Sequence, residues 1–190
     1  GFFGAVSRKS CKYDVFFGTD YHSHLGTKRG GLAFYDPEKG FQRQIHNIEN
    51  TPFRTKFEGD LTKFEGSYGI GCISDTDPQP LLVRSHLGLF AISTVGIITN
   101  AEELVEKTFS GPGHQFMAMS SGAVNATELT AALINRCDNL VDGIRYAQAA
   151  IKGSCTILIL KADGLIAARD QMGRLPIVIG RSESGYCAAM

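Results

Sequence analysis

Short apolar runs and helical stripes alternate along the first part of the chain. Residues 1–6 form an apolar run that is too brief for a helix, which predicts a buried first strand. Small and apolar residues recur at three- and four-residue steps over 13–28 and predict a helix. Apolar runs at 32–35 and 41–45 flank a turn at 36–40 that contains proline and glycine, and together they predict a hairpin.

The centre of the chain continues with a helical stripe and then with extended segments. Aromatic residues at helical spacing predict one or two short helices between 47 and 65. Apolar, β-branched segments at 68–73, 81–84 and 89–98 predict the central strands of a sheet. Acidic residues directly after Asn100 favour a helix start there, because the helix dipole stabilises negative charge in the first turn.

The last third of the chain combines two helices with several short strands. The stretch 116–119 fits either a short strand or an unstructured segment. Asn125 is a predicted cap for one helix, and a second helix is predicted over 138–151. Four short strands follow, at 155–160, 165–169, 177–179 and 186–189. Runs of strands that alternate with runs of helices indicate an α+β fold rather than a parallel βαβ sheet.

Composition favours one globular domain and disfavours several kinds of partner. The chain has 190 residues, of which 43% are hydrophobic, and this is enough for one sizeable core. Nineteen basic and nineteen acidic residues give no net charge, which argues against nucleic acid or an anionic membrane as a partner. The sequence has no apolar run of membrane-spanning length and no signal-peptide pattern, so a cytoplasmic protein is expected.

Neither the cysteines nor the histidines indicate a metal or another cofactor. Five widely spaced cysteines without a C-x-x-C pair fit neither a disulfide framework nor a zinc site. His22 and His24 alternate in a way that could chelate a metal, but no carboxylate or cysteine stands nearby at ligand spacing. Residues 185–190 form an apolar strand that stops without turn residues, which indicates a chain truncated at its carboxy-terminal end.

Six segments, in the correct order, resemble the glutamine phosphoribosylpyrophosphate amidotransferase family, and the likeness runs over nearly the whole chain. The matching segments are GFFG at 1–4, TKRGG at 27–31, GIG at 69–71, DPQP at 77–80, the stretch from 85 to 104, and GLIAARDQMGRLP at 164–176. The resemblance is to the class II glutamine amidotransferase domain of that family. It implies an Ntn-hydrolase-like, four-layer αββα sandwich of two antiparallel sheets, with residues 1–190 as one such domain.

The resemblance also implies which residues glutamine hydrolysis would require. Glutamine hydrolysis in the family uses an amino-terminal cysteine, and this chain begins at the glycine that follows it, Gly1. The family's oxyanion hole combines an asparagine side chain with the next glycine N–H, and Val95 and Gly96 stand at those positions. The arginine and aspartate that hold the substrate's carboxylate and amine align with Ser74 and Ala126. The catalytic positions are therefore predicted to be degenerate.

Arg29 and Gly96 are the remaining candidates for substrate binding. The family has a His-Arg-Gly element where this chain has Lys28, Arg29 and Gly30. A structural arginine that packs at a strand end is an equally good interpretation of Arg29.

Three functional hypotheses follow from the resemblance. The first is a domain of a purine-biosynthetic amidophosphoribosyltransferase-like protein that no longer hydrolyses glutamine and accompanies a carboxy-terminal phosphoribosyltransferase domain. The second is an active glutaminase domain whose terminal cysteine has been removed. The third is a non-catalytic module for ligand binding or assembly, and a homo-oligomer is left open.

Overall fold

Two antiparallel sheets form the centre of the molecule. The computed structural model describes residues 1–24, 28–109, 116, 119–120 and 123–190. Its strands are β1 (Phe2–Ser7), β2 (Arg29–Asp36), β3 (Gly40–Asn47), β4 (Tyr68–Ser74), β5 (Leu81–Ser85), β6 (Gly88–Ile98), β7 (Met119–Ser120), β8 (Ala123–Val124), β9 (Gly153–Lys161), β10 (Gly164–Ala168), β11 (Val178–Arg181) and β12 (Gly185–Ala189). The first sheet has the order β11-β12-β1-β4-β2-β3 and the second has the order β10-β9-β6-β5, while β7 and β8 pair separately.

Helices cover the outer face of each sheet. They are α1 (Lys12–Tyr21), α2 (Phe53–Phe57), α3 (Ala101–Phe109), α4 (Ala126–Ile134) and α5 (Leu140–Ala150), with 3₁₀ turns at His22–His24 and Asp60–Thr62. Buried residues of α1 and α2 pack with the outer face of the first sheet. Residues of α3, α4 and α5 pack with the outer face of the second. In the part of the chain that is described, no helix is both long and apolar enough to cross a bilayer.

A third apolar cluster holds the two sheets together. Ile70 of the first sheet lies in one buried cluster with Ala91 and Leu158 of the second. In the central strands β2, β4, β6 and β9, alternate residues contribute to this cluster and the others to the helix-facing clusters, as the pleat of a strand requires. The fold is therefore the αββα sandwich that the resemblance implied, and the predicted α+β class is confirmed.

Most predicted elements are present, but the helix predicted over 13–28 is too long. Helix α1 ends at Tyr21, one 3₁₀ turn follows, and β2 begins at Arg29. The end of the predicted helix falls partly on residues 25–27, which lie outside the described residues. Helix α1 ends at Tyr21 because the chain tightens into the 3₁₀ turn, in which the His22 N–H bonds to Thr19 O, three residues back. The segment predicted at 116–119 as strand or unstructured includes Met119, which starts β7.

Asn125 caps α4 as predicted. Its side-chain Oδ1 accepts hydrogen bonds from the backbone N–H groups of Thr127, at 2.8 Å, and of Glu128, at 3.1 Å. These two N–H groups have no partner within the helix, so the cap fixes the residue at which α4 begins. Ala126, the first residue of the helix, is thereby placed beside the second sheet.

Replacement of Leu158 by alanine tests the contact between the sheets. Leu158 is fully buried, so Leu158→Ala is expected to lower the free energy of unfolding by about 2–5 kcal/mol through lost burial and a residual cavity. Chemical denaturation monitored by circular dichroism measures the change. Leu82 of β5 is 39% exposed and is the matched control. Equal losses in Leu158→Ala and Leu82→Ala would contradict the sandwich.

Candidate active site

One pocket collects the positions that the resemblance singled out. It has a volume of about 280 Å³, and Gly1, Ser74, Val95, Gly96 and Ala126 all line it. It lies where the start of β1, the end of β4, the middle of β6 and the first turn of α4 meet. Residues that are far apart in sequence meet here because β1 pairs with β4, and because α4 packs on β6.

Arg29 stands at the edge of this group. It is not among the residues that line the pocket, but it lies directly opposite Ser74 in the pairing of β2 with β4. Side chains of directly opposite residues leave an antiparallel pair on the same face. Arg29 is thus one strand away from the position that aligns with the family's arginine.

Gly96 has a structural role that does not depend on any ligand. Its φ is +151°, and a Cβ added here would lie 2.0 Å from the backbone oxygen of Ser154. Every other residue would collide with β9 at this point. The presence of glycine at this position is therefore explained by the sheet alone.

The side-chain amide of Gln79 completes the second sheet beside the pocket. Strand β5 pairs with β6 as far as Leu81, which lies opposite Ile92. Thr94 lies two residues farther along β6, and there the Gln79 side chain takes the place of a strand. Gln79 Oε1 accepts from Thr94 N at 2.7 Å, and Gln79 Nε2 donates to Thr94 O at 3.0 Å. Gln79 is only 6% exposed, so these bonds satisfy backbone groups that water does not reach. Sequence reasoning found the motif at 77–80 but not this role.

Asp77 and Thr127 form hydrogen bonds that hold the start of α4 beside the pocket. Asp77 Oδ2 accepts from the backbone N of Ala126 at 3.2 Å, and Asp77 is 9% exposed. Thr94 Oγ1 and Thr127 Oγ1 share a hydrogen bond of 2.6 Å. A carboxylate at the first turn of a helix is favourable for the helix dipole. Asp77 therefore stabilises the start of α4, a function that the sequence did not reveal.

The pocket carries negative charge. Asp75 and Asp77 line it together with the amino-terminal ammonium of Gly1, so two carboxylates stand against one positive group, and among the described lining residues there is no lysine, arginine or histidine. The Ser74 hydroxyl accepts from Thr76 N at 3.2 Å and lies 3.5 Å from Thr76 Oγ1. Ser74, which the sequence resemblance predicts to align with the substrate-binding arginine, is thus a neutral side chain engaged in its own loop.

Cys72, close to the pocket, and Cys11, beyond the other end of β1, are both buried thiols. Cys72 lies two residues before Ser74 on β4 and is 1% exposed. Burial raises the pKa of the Cys72 thiol to about 11. Burial also raises the pKa of Cys11 to about 12, and the Cys11 Sγ faces Gly66 O at 3.6 Å. Neither thiol supplies a thiolate at neutral pH, which a nucleophile would need.

His22 lies beside Gly1 and is neutral at physiological pH. A Cβ added at Gly1 would lie 2.9 Å from His22 Nδ1, and that nitrogen is buried without a hydrogen-bond partner among the described residues. Burial, and then nearby positive charge, lowers the pKa of His22 below its ordinary value. His22 therefore packs against the pocket wall as an uncharged ring.

The four-layer sandwich and the position of its pocket define an Ntn-hydrolase-like protein. The sequence profile of the family described as a glutamine amidotransferase domain matches residues 61–189. The chain therefore belongs to the glutamine amidotransferase domain family. This confirms the resemblance found in the sequence.

Relatives with solved structures or known activities agree with this assignment. The amidophosphoribosyltransferase of Methanocaldococcus jannaschii is 29% identical over 196 residues, which cover 97% of this chain and 40% of that protein. The glutamine phosphoribosylpyrophosphate amidotransferase from B. subtilis, solved with ADP and GMP, superposes with a TM-score of 0.82 at 26% identity, over 98% of this chain and 41% of that one. A structure described as the allosteric regulatory enzyme of purine biosynthesis gives a TM-score of 0.84 at 25% identity, with 98% and 41% covered. The chain spans about two fifths of the length of these relatives.

Replacement of Gln79 by leucine tests its role in completing the sheet. Gln79→Leu keeps the volume but leaves the N–H and C=O of Thr94 without partners, so the free energy of unfolding is expected to fall by about 2–4 kcal/mol. Denaturant titration measures the loss, and hydrogen exchange at Thr94 N is expected to accelerate. Gln171 is exposed, and Gln171→Leu is the control. Unchanged exchange at Thr94 in Gln79→Leu would show that the amide bonds are dispensable.

Thiol accessibility tests whether Cys72 can act as a nucleophile. In the native chain Cys11, Cys72 and Cys155 are buried, whereas Cys137 and Cys187 are half-buried. Alkylation with iodoacetamide at pH 8, followed by peptide mass mapping, is expected to modify Cys137 and Cys187 well before Cys72, because a raised pKa and burial both suppress the thiolate. Denatured protein, in which all five react, is the control. Modification of Cys72 as fast as Cys187 would refute the burial argument.

Proposed function

We propose that this domain keeps the frame of a glutaminase pocket but does not hydrolyse glutamine. The observation that carries the proposal is that the described pocket lining includes Asp75 and Asp77 but no cationic side chain; its positive charge is the amino-terminal ammonium of Gly1, which donates to Ile73 O at 3.1 Å. An amino-acid substrate brings its own carboxylate. In this pocket that carboxylate would meet like charge without a guanidinium to compensate it, which disfavours binding.

The amine of glutamine would also lack its dedicated partner. Ala126 stands where the family has an aspartate, and it presents only a methyl group to the pocket. The nearby carboxylate of Asp77 is already hydrogen-bonded to Ala126 N. That bond orients Asp77 toward the start of α4, so the carboxylate stabilises the helix and is less available to a ligand.

The transition state would lose one of its two oxyanion donors. Val95 has no side-chain N–H, and the loss of one such donor costs about 2.7–4 kcal/mol, or roughly a hundred- to thousandfold in rate. The backbone N–H of Gly96 is the other donor position. Substrate anchoring and oxyanion stabilisation fail at separate residues, so no single substitution accounts for the degenerate site.

We further propose that the chain is one domain, over residues 1–190, of a longer amidophosphoribosyltransferase-like protein. The support is that relatives of that name match nearly the whole chain while the chain covers about 40% of their length. The remaining part would carry the phosphoribosyltransferase domain. Such a protein would draw on free ammonia, or on a separate ammonia donor, for purine biosynthesis.

An added nucleophile tests the proposal without reference to what precedes Gly1 in the natural protein. A chain with cysteine placed directly before Gly1, with its amine free, is expected to release no glutamate from glutamine, because the anchors and one oxyanion donor are still missing. A coupled glutamate dehydrogenase assay measures the release. Glutamate production that depends on the added cysteine would contradict the proposal and support an active glutaminase domain.

Restoration of the two substrate anchors and the oxyanion donor tests the same proposal from the opposite direction. The cysteine-bearing chain with Ser74→Arg, Val95→Asn and Ala126→Asp is expected to exceed the cysteine-only chain by at least about a hundredfold in glutamate release. The matched control carries the same three substitutions without the cysteine. It is expected to bind glutamine in calorimetry but not to cleave it, which separates the loss of anchoring from the loss of the nucleophile.

A further inference from the structure

A second pocket, of about 340 Å³, lies at the opposite end of β1 from the first. The end of β1 and the turn between β11 and β12 form its rim. Arg8 N donates to Ser184 O at 2.8 Å, and Ser7 lies opposite Gly185 in the pairing of β1 with β12. A Cβ added at Gly185 would lie 1.9 Å from Val6 O, so glycine is needed for this close approach. The rim is therefore fixed by backbone contacts.

Two uncompensated guanidinium groups line this pocket. Arg8 and Arg181 are exposed, and within the described part of the chain neither side chain makes an ion pair or hydrogen bond. The guanidinium carbon of Arg181 lies 5.8 Å from the centre of the Tyr186 ring, a cation–π contact that restricts its position. Glu183 also lines the pocket, so the described lining carries a net positive charge.

Hydroxyl groups stand beside the two arginines. Ser182 Oγ accepts from Gly185 N at 3.2 Å and lies 3.1 Å from Ser184 Oγ. When Ser182 donates to Ser184, the Ser184 hydroxyl hydrogen is available to a ligand. Tyr68 belongs to the same lining. The pocket thus combines fixed positive charge with neutral hydrogen-bond donors.

We propose that this pocket binds the phosphoryl group of a small phosphate monoester through Arg8 and Arg181. A guanidinium presents paired N–H donors that match the oxygens of a phosphate, and two of them can hold a dianion. A volume of about 340 Å³ exceeds that of a phosphate ion and lies in the range of small-molecule sites. The rest of the pocket accommodates the organic part of the ester. Six residue steps along β1, roughly 20 Å, separate this site from the acidic pocket.

Titration calorimetry of the 190-residue chain with glycerol 3-phosphate, and separately with inorganic phosphate, tests the proposal at constant ionic strength. Saturable one-to-one binding of the ester is expected. Arg8→Gln and Arg181→Gln are each expected to weaken it at least about tenfold, since each removes a charge-assisted pair of hydrogen bonds. Both arginines are exposed, so the folded state, checked by circular dichroism, is expected to be preserved.

Arg84, an exposed arginine on β5 in the other sheet, provides the control. Arg84→Gln is expected to leave the affinity unchanged. Inorganic phosphate that binds as tightly as the ester would support the same site and assign it to the free anion. Absence of saturable binding for both ligands, or an equal loss of affinity in Arg84→Gln, would overturn the proposal.

Discussion

The paired hydrogen bonds between the Gln79 amide and Thr94 are the contact on which the pocket depends. Gln79 follows β4 of the first sheet, and a Cβ at Gly31 of β2 would lie 1.8 Å from its backbone oxygen. Thr94 belongs to β6 of the second sheet, and its hydroxyl bonds to Thr127 of α4. Three of the four layers therefore meet through one buried network of hydrogen bonds, which restricts how these layers can be arranged.

This network separates the frame of the pocket from its chemistry. Gln79, Thr94 and Gly96 hold backbone in place, and each has a partner or a steric requirement within the protein. Ser74 and Ala126 point to the same space, but no layer contact depends on the groups that they lack. A guanidinium or carboxylate can be lost from such positions without unfolding the sandwich. The contacts that hold the frame are thus compatible with the proposed loss of glutamine hydrolysis.

The fold was largely predictable because its signals are local, whereas the site was predictable only through resemblance. Apolar runs located the strands, and Asn125 located the start of α4, since capping chemistry is confined to neighbouring residues. The end of α1 was misplaced because the chain tightens into a 3₁₀ turn at His22–His24, which helical periodicity does not report. The contact of Asp77 with Ala126 joins residues 49 apart, and no sequence period reports a contact at that separation.

Net charge is a poor guide to what an individual pocket can hold. Nineteen charges of each sign cancel over the chain and argue against polyanions, which need a broad positive surface. The same balance conceals opposite local charges at the two ends of β1, where carboxylates line one pocket and guanidinium groups line the other. A small ligand responds to the charges within a few ångströms, because more distant ones are screened by solvent. The proposed loss of amino-acid recognition at one end is therefore compatible with the proposed anion site at the other.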